Sequence, residues 1–460
     1  MIEKMFHLKE AGTTVRTEVI GGLTTFMTMA YILAVNPNIL AASGMDPHAI
    51  LMATCLAAFV GTMCMALMAN YPFALAPGLG LNAYFAYTVC GTMGYSWRIA
   101  LLAVFVEGII FIILSLTRVR EAIFNAIPMS LKKGVGAGIG LFVAFIGLQN
   151  AHIVVNNDST LVTVVSFSGN WHTAGICALL ALVGLMVVVI LEMKNIKAAL
   201  LLGIIITWVL GMICQASGIY IPDPKAGFYS VYPSLGLTDF SKLGLTFGQC
   251  FNTSFAGVKP LDFAVVTFSF LFVDMFDTIG TLIGVSDRAG MLDKDGKLKN
   301  VKGALTADAI ATCAGAVFGT STTTTFVESS AGVGAGARTG LASVVTGFMF
   351  LIAIFFAPIF TSIPGFATAP ALLYVGFLMV SAVLDLKFDD IRESVPAYLT
   401  LIAMPLCYSI AEGISIGVIS YVVINIVGNI ICEEKKKITP LMYVLAVLFV
   451  LKYVMPALIN

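Results

Sequence analysis

The sequence predicts an all-α polytopic membrane protein with about 14 transmembrane segments in two inverted repeats of seven. The 460 residues are 59% hydrophobic and 11% charged, whereas soluble proteins carry roughly 25% charged residues. Apolar runs long enough to cross a hydrocarbon core of roughly 30 Å recur along nearly the whole chain. One segment in each half is interrupted by Gly, Pro or Thr, and both interrupted segments come third in their group.

Hydropathy windows of about 19 residues delimit the simple spans. They are residues 17–36, 47–69, 97–117, 133–150, 172–192, 197–216, 262–285, 302–319, 341–362, 367–385, 395–409, 412–431 and 438–457. The expected divisions are a first repeat at 1–216, an extracytoplasmic loop at 217–261, a second repeat at 262–431 and a hydrophobic tail at 432–460. The sequence leaves open whether 438–457 spans the membrane.

The two interrupted stretches, 72–88 and 322–338, are too short or too rich in Gly, Pro and Thr to be simple spans. Residues 76–80 (APGLG) resemble residues 330–334 (SAGVG). Because seven is odd, a second group of seven segments must start on the opposite side of the membrane from the first. Matched interrupted segments in an inverted repeat indicate the binding site of a transporter.

Lys and Arg concentrate in the loops on one side of the predicted membrane. They are Lys4, Lys9, Arg16, Arg118, Arg120, Lys132, Lys133, Lys194, Lys197, Arg288, Lys294, Lys297, Lys299, Lys302, Lys435, Lys436 and Lys437. The loops 37–46, 151–171 and 361–366 contain none. The positive-inside rule therefore predicts a cytoplasmic N-terminus, in a plasma (inner) membrane. The polar first 15 residues contain no apolar region of a cleaved signal peptide.

Charge and cysteine usage argue against several classes of protein. The formal net charge is zero, so nothing indicates a nucleic-acid partner. The nine cysteines show no CxxC or Cys/His spacing, and no histidine pairs with the intramembrane acids, so we expect neither a metal site nor a cofactor. A membrane-embedded protease could use paired aspartates, but no second catalytic motif is present, and we expect no catalytic residues.

Carboxylates at membrane depth are the main chemical signal. Asp274 and Asp277 interrupt the span 262–285, although an ionisable side chain there costs at least a few kcal/mol unless it lines a cavity or substrate path. Being three residues apart, they share a helix face, which Thr281 continues. Either aspartate could instead bond neighbouring helices. Asp308 is a further intramembrane acid, as is Glu107, which lacks an adjacent glycine break and is expected to be structural.

Glu328 lies between four threonines and a Gly-rich stretch. If residues 322–326 are extended and a half-helix begins near Glu328, backbone N–H groups and a positive dipole end point into a cavity. Non-helical backbone at this depth requires surrounding protein or a water-filled cavity. Alternatively, Glu328 only caps that helix. Asn82, in the corresponding zone of the first repeat, offers a donor and an acceptor, or serves helix packing.

Four stretches of the chain resemble the purine-permease (azaguanine) branch of the nucleobase:cation symporter-2 family. They are residues 24–31 (TTFMTMAY), 76–85 (APGLGLNAYF), 272–281 (FVDMFDTIGT) and 322–340. The resemblance covers essentially the full chain. It implies fourteen spans forming a core and a gate domain, with short strands before half-helices in the third and tenth spans. It also implies co-transport of a purine base (adenine, guanine or hypoxanthine) with protons.

The resemblance also carries over residue by residue. Asp277 matches the acid of the family's E-x-x-G pattern in the eighth span, with Asp in place of Glu, and Thr281 stands where relatives place His or Asp. Glu328 matches the Glu or Gln of the tenth span that contacts the base, but Ser329 replaces the Asn usual elsewhere in the family. Asn82 matches a functionally important Asn of the third span. These departures fit the purine branch and argue against uracil or xanthine.

The chemistry of a purine agrees with this assignment. A carboxylate can accept N–H bonds from the flat edge of the base, while aromatic rings stack on its face. The aromatic candidates are Phe26, Phe85 and Phe326. The candidate proton carriers are Asp274, Asp277, Glu328 and Asp308, because a carboxylate in a low-dielectric cavity can take up a proton.

The rival hypothesis is an inorganic-anion transporter of the same fold, which would predict a positively charged or carboxylate-free cavity. Partners other than base, proton and lipid are not expected, although the sequence leaves open a homodimer. It also leaves open which purine is preferred and which acid carries the proton.

Overall fold

The computed structural model describes residues 2–116, 127–234, 236–255, 257–288, 291, 300–386 and 388–459. The helices are α1 (Ile2–Phe6), α2 (Val15–Met29), α3 (Ile32–Leu40), α4 (Pro47–Cys64), α5 (Leu79–Ala83), α6 (Trp97–Leu116), α7 (Met129–Asn150), α8 (Ile176–Met193), α9 (Ala199–Ala216), α10 (Pro260–Arg288), α11 (Val301–Phe318), α12 (Ser329–Gly334), α13 (Gly340–Ala353), α14 (Ala357–Thr361), α15 (Gly365–Val380), α16 (Ile391–Leu406), α17 (Ile410–Ile431) and α18 (Pro440–Ile459). The strands are β1 (Leu75–Pro77), β2 (Val154–Asn157), β3 (Leu161–Val164) and β4 (Thr323–Thr325). Several π-helical or 3-10 segments extend the helices, the longest at Tyr84–Thr92 after α5.

The multi-spanning helical fold predicted from hydropathy is confirmed. Within the described residues, ten helices are long and apolar enough to cross a membrane. The exact number of fourteen segments, and the boundaries of the two repeats, stay predictions. Arg118, Arg120, Lys294, Lys297 and Lys299, on which the predicted orientation partly depends, lie outside the described residues.

The centre of the fold is a short two-stranded ribbon. Strands β1 and β4 pair antiparallel, with Ala76 opposite Thr324, and all six strand residues are buried. Each strand leads into a short helix, α5 or α12. The two interrupted stretches are therefore strand and half-helix units that meet in the protein interior, as predicted. Antiparallel pairing is what two units of opposite direction produce.

The residue-by-residue match between the two glycine motifs is wrong, although the elements correspond. Gly78 precedes α5 and separates it from β1 by one residue. In the second unit three residues separate β4 from α12, and Gly332 and Gly334 lie in the last turn of that helix. Glycine is common in membrane helices, so a short glycine motif can match out of register.

Side chains from neighbouring helices complete the hydrogen bonding of this ribbon. Thr62 of α4 accepts from the backbone N–H of Leu75 at 3.0 Å. On the other edge, the Thr312 hydroxyl of α11 donates to the backbone carbonyl of Thr323 at 3.1 Å. Because no water reaches the hydrocarbon region, each strand group needs such a partner. The threonine hydroxyls of β4 and its neighbours thus supply hydrogen-bond partners that allow an extended backbone inside the membrane.

The long helices pack in two groups. Helices α4, α10 and α11 contact the strands of the ribbon, α6 and α13 pack against these helices, and α2 packs against α13. Helices α7, α8, α9, α15, α16 and α17 form the second group, in which α15 and α16 both pack against α7. This arrangement matches the expected division into a core and a gate. The ribbon and α12 belong to the first group, whereas α5 packs against α3 and against α7 of the second group.

The structure adds detail to two peripheral segments that the sequence analysis left undefined. The predicted loop at 151–171 contains the hairpin β2–β3. The hydrophobic tail forms α18, which packs against α17, and its Tyr453 hydroxyl donates to the Glu412 carboxylate.

Candidate functional site at the crossing of the half-helices

Glu328 occupies the position immediately before α12. Its carboxylate makes no capping hydrogen bond to that helix. Instead, Oε1 accepts a hydrogen bond from the hydroxyl of Tyr31 at 2.6 Å. The Glu328 side chain is partly exposed, although it lies among buried residues. The Glu328 side chain therefore does not cap α12, and its contact with substrate stays a prediction.

Asp277, on α10, lies beside the start of the other half-helix. A methyl group placed on Gly78 would lie 3.7 Å from Asp277 Oδ2. The Asp277 side chain is partly exposed, and its carboxylate interacts electrostatically with that of Glu328. The structure thus brings together two acids from distant parts of the chain, one at the beginning of each half-helix. Thr281, one turn further along α10, is also partly exposed.

Asp274 and Asp308 form a separate buried cluster behind this pair. The Thr278 hydroxyl lies 3.2 Å from Asp274 Oδ1 and 2.7 Å from Asp308 Oδ2. Asp308 Oδ1 also accepts from the backbone N–H of Thr325 at 3.1 Å and from its hydroxyl at 3.2 Å. Both acids are fully buried. Asp308 therefore holds β4 in place, and Asp274 is connected to the strand through Thr278, which also contacts Thr324 at 2.8 Å.

Asn82 lies in the second half of α5 and is fully buried. Its Oδ1 accepts a hydrogen bond from the Ser321 hydroxyl, and its Nδ2 donates to the Pro77 carbonyl at 3.4 Å. Glu107 is likewise buried, and its Oε2 accepts from the Thr322 hydroxyl at 3.1 Å. These bonds connect the first half-helix and α6 to the segment that precedes β4. The proposed contact between Asn82 and substrate stays a prediction.

The remaining predicted site residues surround the crossing. Ser329 is buried and its hydroxyl accepts from the backbone N–H of Ala74 at 3.0 Å, joining the two units. Phe26 packs edge-on against Phe350, with ring centroids 5.2 Å apart. Phe326 is 6% exposed, whereas Phe85 is completely buried. The roles of these residues in stacking on a base stay predictions.

Sequence reasoning missed two polar groups at the crossing. Tyr31 is completely buried between α2 and α3 and bonds Glu328. Thr278 connects Asp274, Asp308 and Thr324. The available signal was position alone: Tyr31 ends the motif 24–31, and Thr278 lies between the two acids and the glycine of the eighth span. Nothing local showed which partners they would meet.

The architecture defines a class of protein. Two half-helices meet through short strands inside a bundle of membrane helices, with acids beside the crossing, and this construction is typical of secondary transporters. Solved structures agree on the fold. The transmembrane domain of the cyanobacterium bicarbonate transporter BicA matches with a TM-score of 0.61 at 16% identity, covering 87% of this chain and 97% of that one. SLC26A9 matches with a TM-score of 0.61 at 11% identity, covering 90% and 66% respectively.

Sequence comparison identifies the family. Residues 16–416 match the xanthine/uracil permease model, described as a permease family, and the chain belongs to this family of transporters, the nucleobase:cation symporter-2 family. The adenine permease AdeP of Escherichia coli (strain K12) is 42% identical over 459 residues, covering 99% of this chain and 96% of that protein. The guanine/hypoxanthine permease PbuG of Bacillus subtilis (strain 168) is 45% identical over 463 residues, covering 98% and 99%.

The family assignment gives the general activity of the protein. The protein is a transporter and not an enzyme, and transport of nucleobases is the activity that the relatives indicate. The resemblance to the purine branch is confirmed at the level of the family.

Proposed function

We propose that the protein imports a purine nucleobase (adenine, guanine or hypoxanthine) across the plasma membrane by proton symport, with its N-terminus in the cytoplasm. The observation that carries this proposal is the pair of partly exposed acids, Asp277 and Glu328, beside the crossing of the half-helices. The names of the relatives, adenine permease and guanine/hypoxanthine permease, support the substrate class.

The two acids suit the edge of a purine. A purine base presents N–H donors in one plane, and a carboxylate offers acceptor oxygens that form charge-assisted bonds with such donors. Glu328 approaches from the residue before α12 and Asp277 from α10, so the base would lie between the second half-helix unit and α10, beside Gly78 at the start of α5. Phe26 and Phe326 are the nearby candidates for packing against its face.

The same charges support proton coupling. Asp277 and Glu328 lie close enough to repel each other when both are ionised, and a bound proton removes that repulsion. The pair that faces the substrate and the buried pair of Asp274 and Asp308 are connected through α10, which carries Asp274 and Asp277 one turn apart. We propose that a proton enters this group of acids together with the base.

The competing function is transport of an anion or another small solute on the same fold. The two structures compared above include a bicarbonate transporter, which favours this possibility from the fold alone. Acids beside the crossing oppose an anionic substrate, because like charges in a desolvated site repel.

The decisive experiment is uptake of radiolabelled hypoxanthine in a bacterium that lacks its own purine transport. Unlabelled adenine, guanine, hypoxanthine, xanthine and uracil serve as competitors, with bicarbonate as the anion control. We expect competition by the first three bases and abolition of accumulation by a protonophore. Uptake equal to that of cells with an empty vector would refute the purine proposal, while protonophore-resistant accumulation would refute symport alone.

A second experiment tests the position of the site. After removal of the background cysteines, single cysteines at Thr281, Ser330 and Asn82 are treated with a small aqueous thiol reagent. Thr281 and Ser330 are partly exposed and lie close in sequence to Asp277 and Glu328, which stay intact. We expect hypoxanthine to protect the first two positions, while a cysteine at the buried Asn82 position reacts slowly even without substrate. If neither of the first two positions is protected, the base binds elsewhere.

A further inference from the structure

Tyr31 occupies an unusual position for a tyrosine in a membrane protein. It lies between the end of α2 and the start of α3, where the first span changes from one helix to the next. The side chain is 1% exposed, so its hydroxyl is cut off from bulk water and needs a partner within the protein. That partner is Glu328, 297 residues further along the chain, at 2.6 Å.

The Tyr31 hydroxyl contacts one oxygen of the Glu328 carboxylate, Oε1. The buried tyrosine approaches Oε1 from within the protein, whereas the glutamate side chain as a whole is partly exposed. A carboxylate has about four acceptor positions. The Tyr31 hydroxyl takes one of them, and the backbone N–H of Glu328 also contacts the carboxylate. The tyrosine thereby fixes the direction in which the remaining positions point.

The surroundings of Tyr31 keep this contact rigid. A methyl group on Gly332 of α12 would lie 2.6 Å from the carbonyl oxygen of Gly21 of α2 and would also overlap Thr25. The Thr28 hydroxyl lies 3.5 Å from the Glu328 carbonyl oxygen. Helix α2 therefore packs directly on the half-helix that follows Glu328, so Tyr31 and Glu328 are fixed relative to each other by the backbone.

We propose that Tyr31 is a positioning residue for substrate recognition, whose hydroxyl orients the Glu328 carboxylate toward the N–H edge of the base. This role rests on the proposed purine transport. A carboxylate held by one short charge-assisted bond does not have to be ordered when the base binds, so less of the binding free energy is lost. Tyr31 acts through Glu328 and needs no contact of its own with the base.

The test compares the wild type with Tyr31→Phe, Glu328→Gln and the double variant, each purified and assayed for binding of radiolabelled hypoxanthine. Tyr31→Phe removes only the hydroxyl. We expect it to weaken binding about tenfold, the effect of one charge-assisted hydrogen bond, and to raise KM for uptake with the maximal rate retained. In the Glu328→Gln background, adding Tyr31→Phe should weaken binding by a further factor of less than two, because the carboxylate that the Tyr31 hydroxyl orients is already absent.

The matched control is Tyr421→Phe. Tyr421, 4% exposed, also bonds a glutamate, Glu393 at 3.3 Å, but in the second group of helices. This variant should bind hypoxanthine as the wild type does. If Tyr31→Phe binds as tightly as Tyr421→Phe does, or if its effect is undiminished in the Glu328→Gln background, Tyr31 does not act through Glu328.

Thermal unfolding without ligand separates the two proposals. A non-additive effect of Tyr31→Phe and Glu328→Gln on the unfolding temperature reports their contact in the free protein. If the wild type binds hypoxanthine but Tyr31→Phe leaves binding unchanged, the positioning role fails and the transport proposal stands. If the wild type binds no purine, both the transport proposal and the positioning role fail. A non-additive effect on the unfolding temperature would then report only a structural contact between Tyr31 and Glu328.

Discussion

Replacing Glu328 by Gln keeps the size of the side chain and removes its charge. Glu328 is partly exposed beside the crossing, and its carboxylate already accepts the Tyr31 hydroxyl at 2.6 Å. A hydrogen bond to a charged group contributes about 1.5–3 kcal/mol, so losing one such bond to the base should weaken binding about 10- to 150-fold. Glu328→Ala, which leaves no acceptor, should abolish uptake while the protein still inserts.

The measurement is equilibrium binding of radiolabelled hypoxanthine to the purified protein, with thermal unfolding as the check on folding. Glu393→Gln is the matched control, because Glu393 also accepts a tyrosine hydroxyl, at 3.3 Å from Tyr421, away from the crossing. We expect the control to bind normally. A Glu328→Gln variant that is folded and binds within twofold of the wild type would show that Glu328 does not contact the base.

Three further predictions concern the buried acids and the helix packing. Of the variants Asp274→Asn and Asp277→Asn, the one that removes the proton carrier should still exchange labelled base but should no longer accumulate it in response to a pH gradient. Normal accumulation by both variants would assign the proton-carrying role to Asp308. Asp308→Ala should lower the unfolding temperature in detergent, because it leaves the Thr278 hydroxyl and the Thr325 N–H and hydroxyl without their acceptor, at about 1–3 kcal/mol for each donor left unpaired. An unchanged unfolding temperature would show that Asp308 does not stabilise β4. Gly332→Ala should destabilise the protein by about 1–3 kcal/mol through overpacking against α2, whereas Gly334→Ala, with nothing within 4 Å, should be neutral, and equal behaviour of the two would refute the close approach.

Features that depend on local composition could be predicted from the sequence. The apolar runs indicated the membrane helices, because crossing the hydrocarbon core requires length and low polarity within one segment. The Thr-rich and Gly-rich stretches predicted an extended segment followed by a half-helix near Glu328, and the structure has β4 and α12 there. The acids at membrane depth indicated a candidate site for the same reason, since each ionisable side chain is unfavourable there on its own.

The tertiary structure decided which of these acids are buried and which are partly exposed. Asp274 and Asp277 share a helix face, so their spacing could not distinguish them. In the structure Asp274 is fully buried and accepts a hydrogen bond from Thr278, whereas Asp277 is partly exposed. Likewise, the contact between Tyr31 and Glu328 joins residues 297 positions apart in the chain. Burial and long-range hydrogen bonds depend on how helices from both halves of the chain pack together, and the hydropathy of a single segment contains no information about that packing.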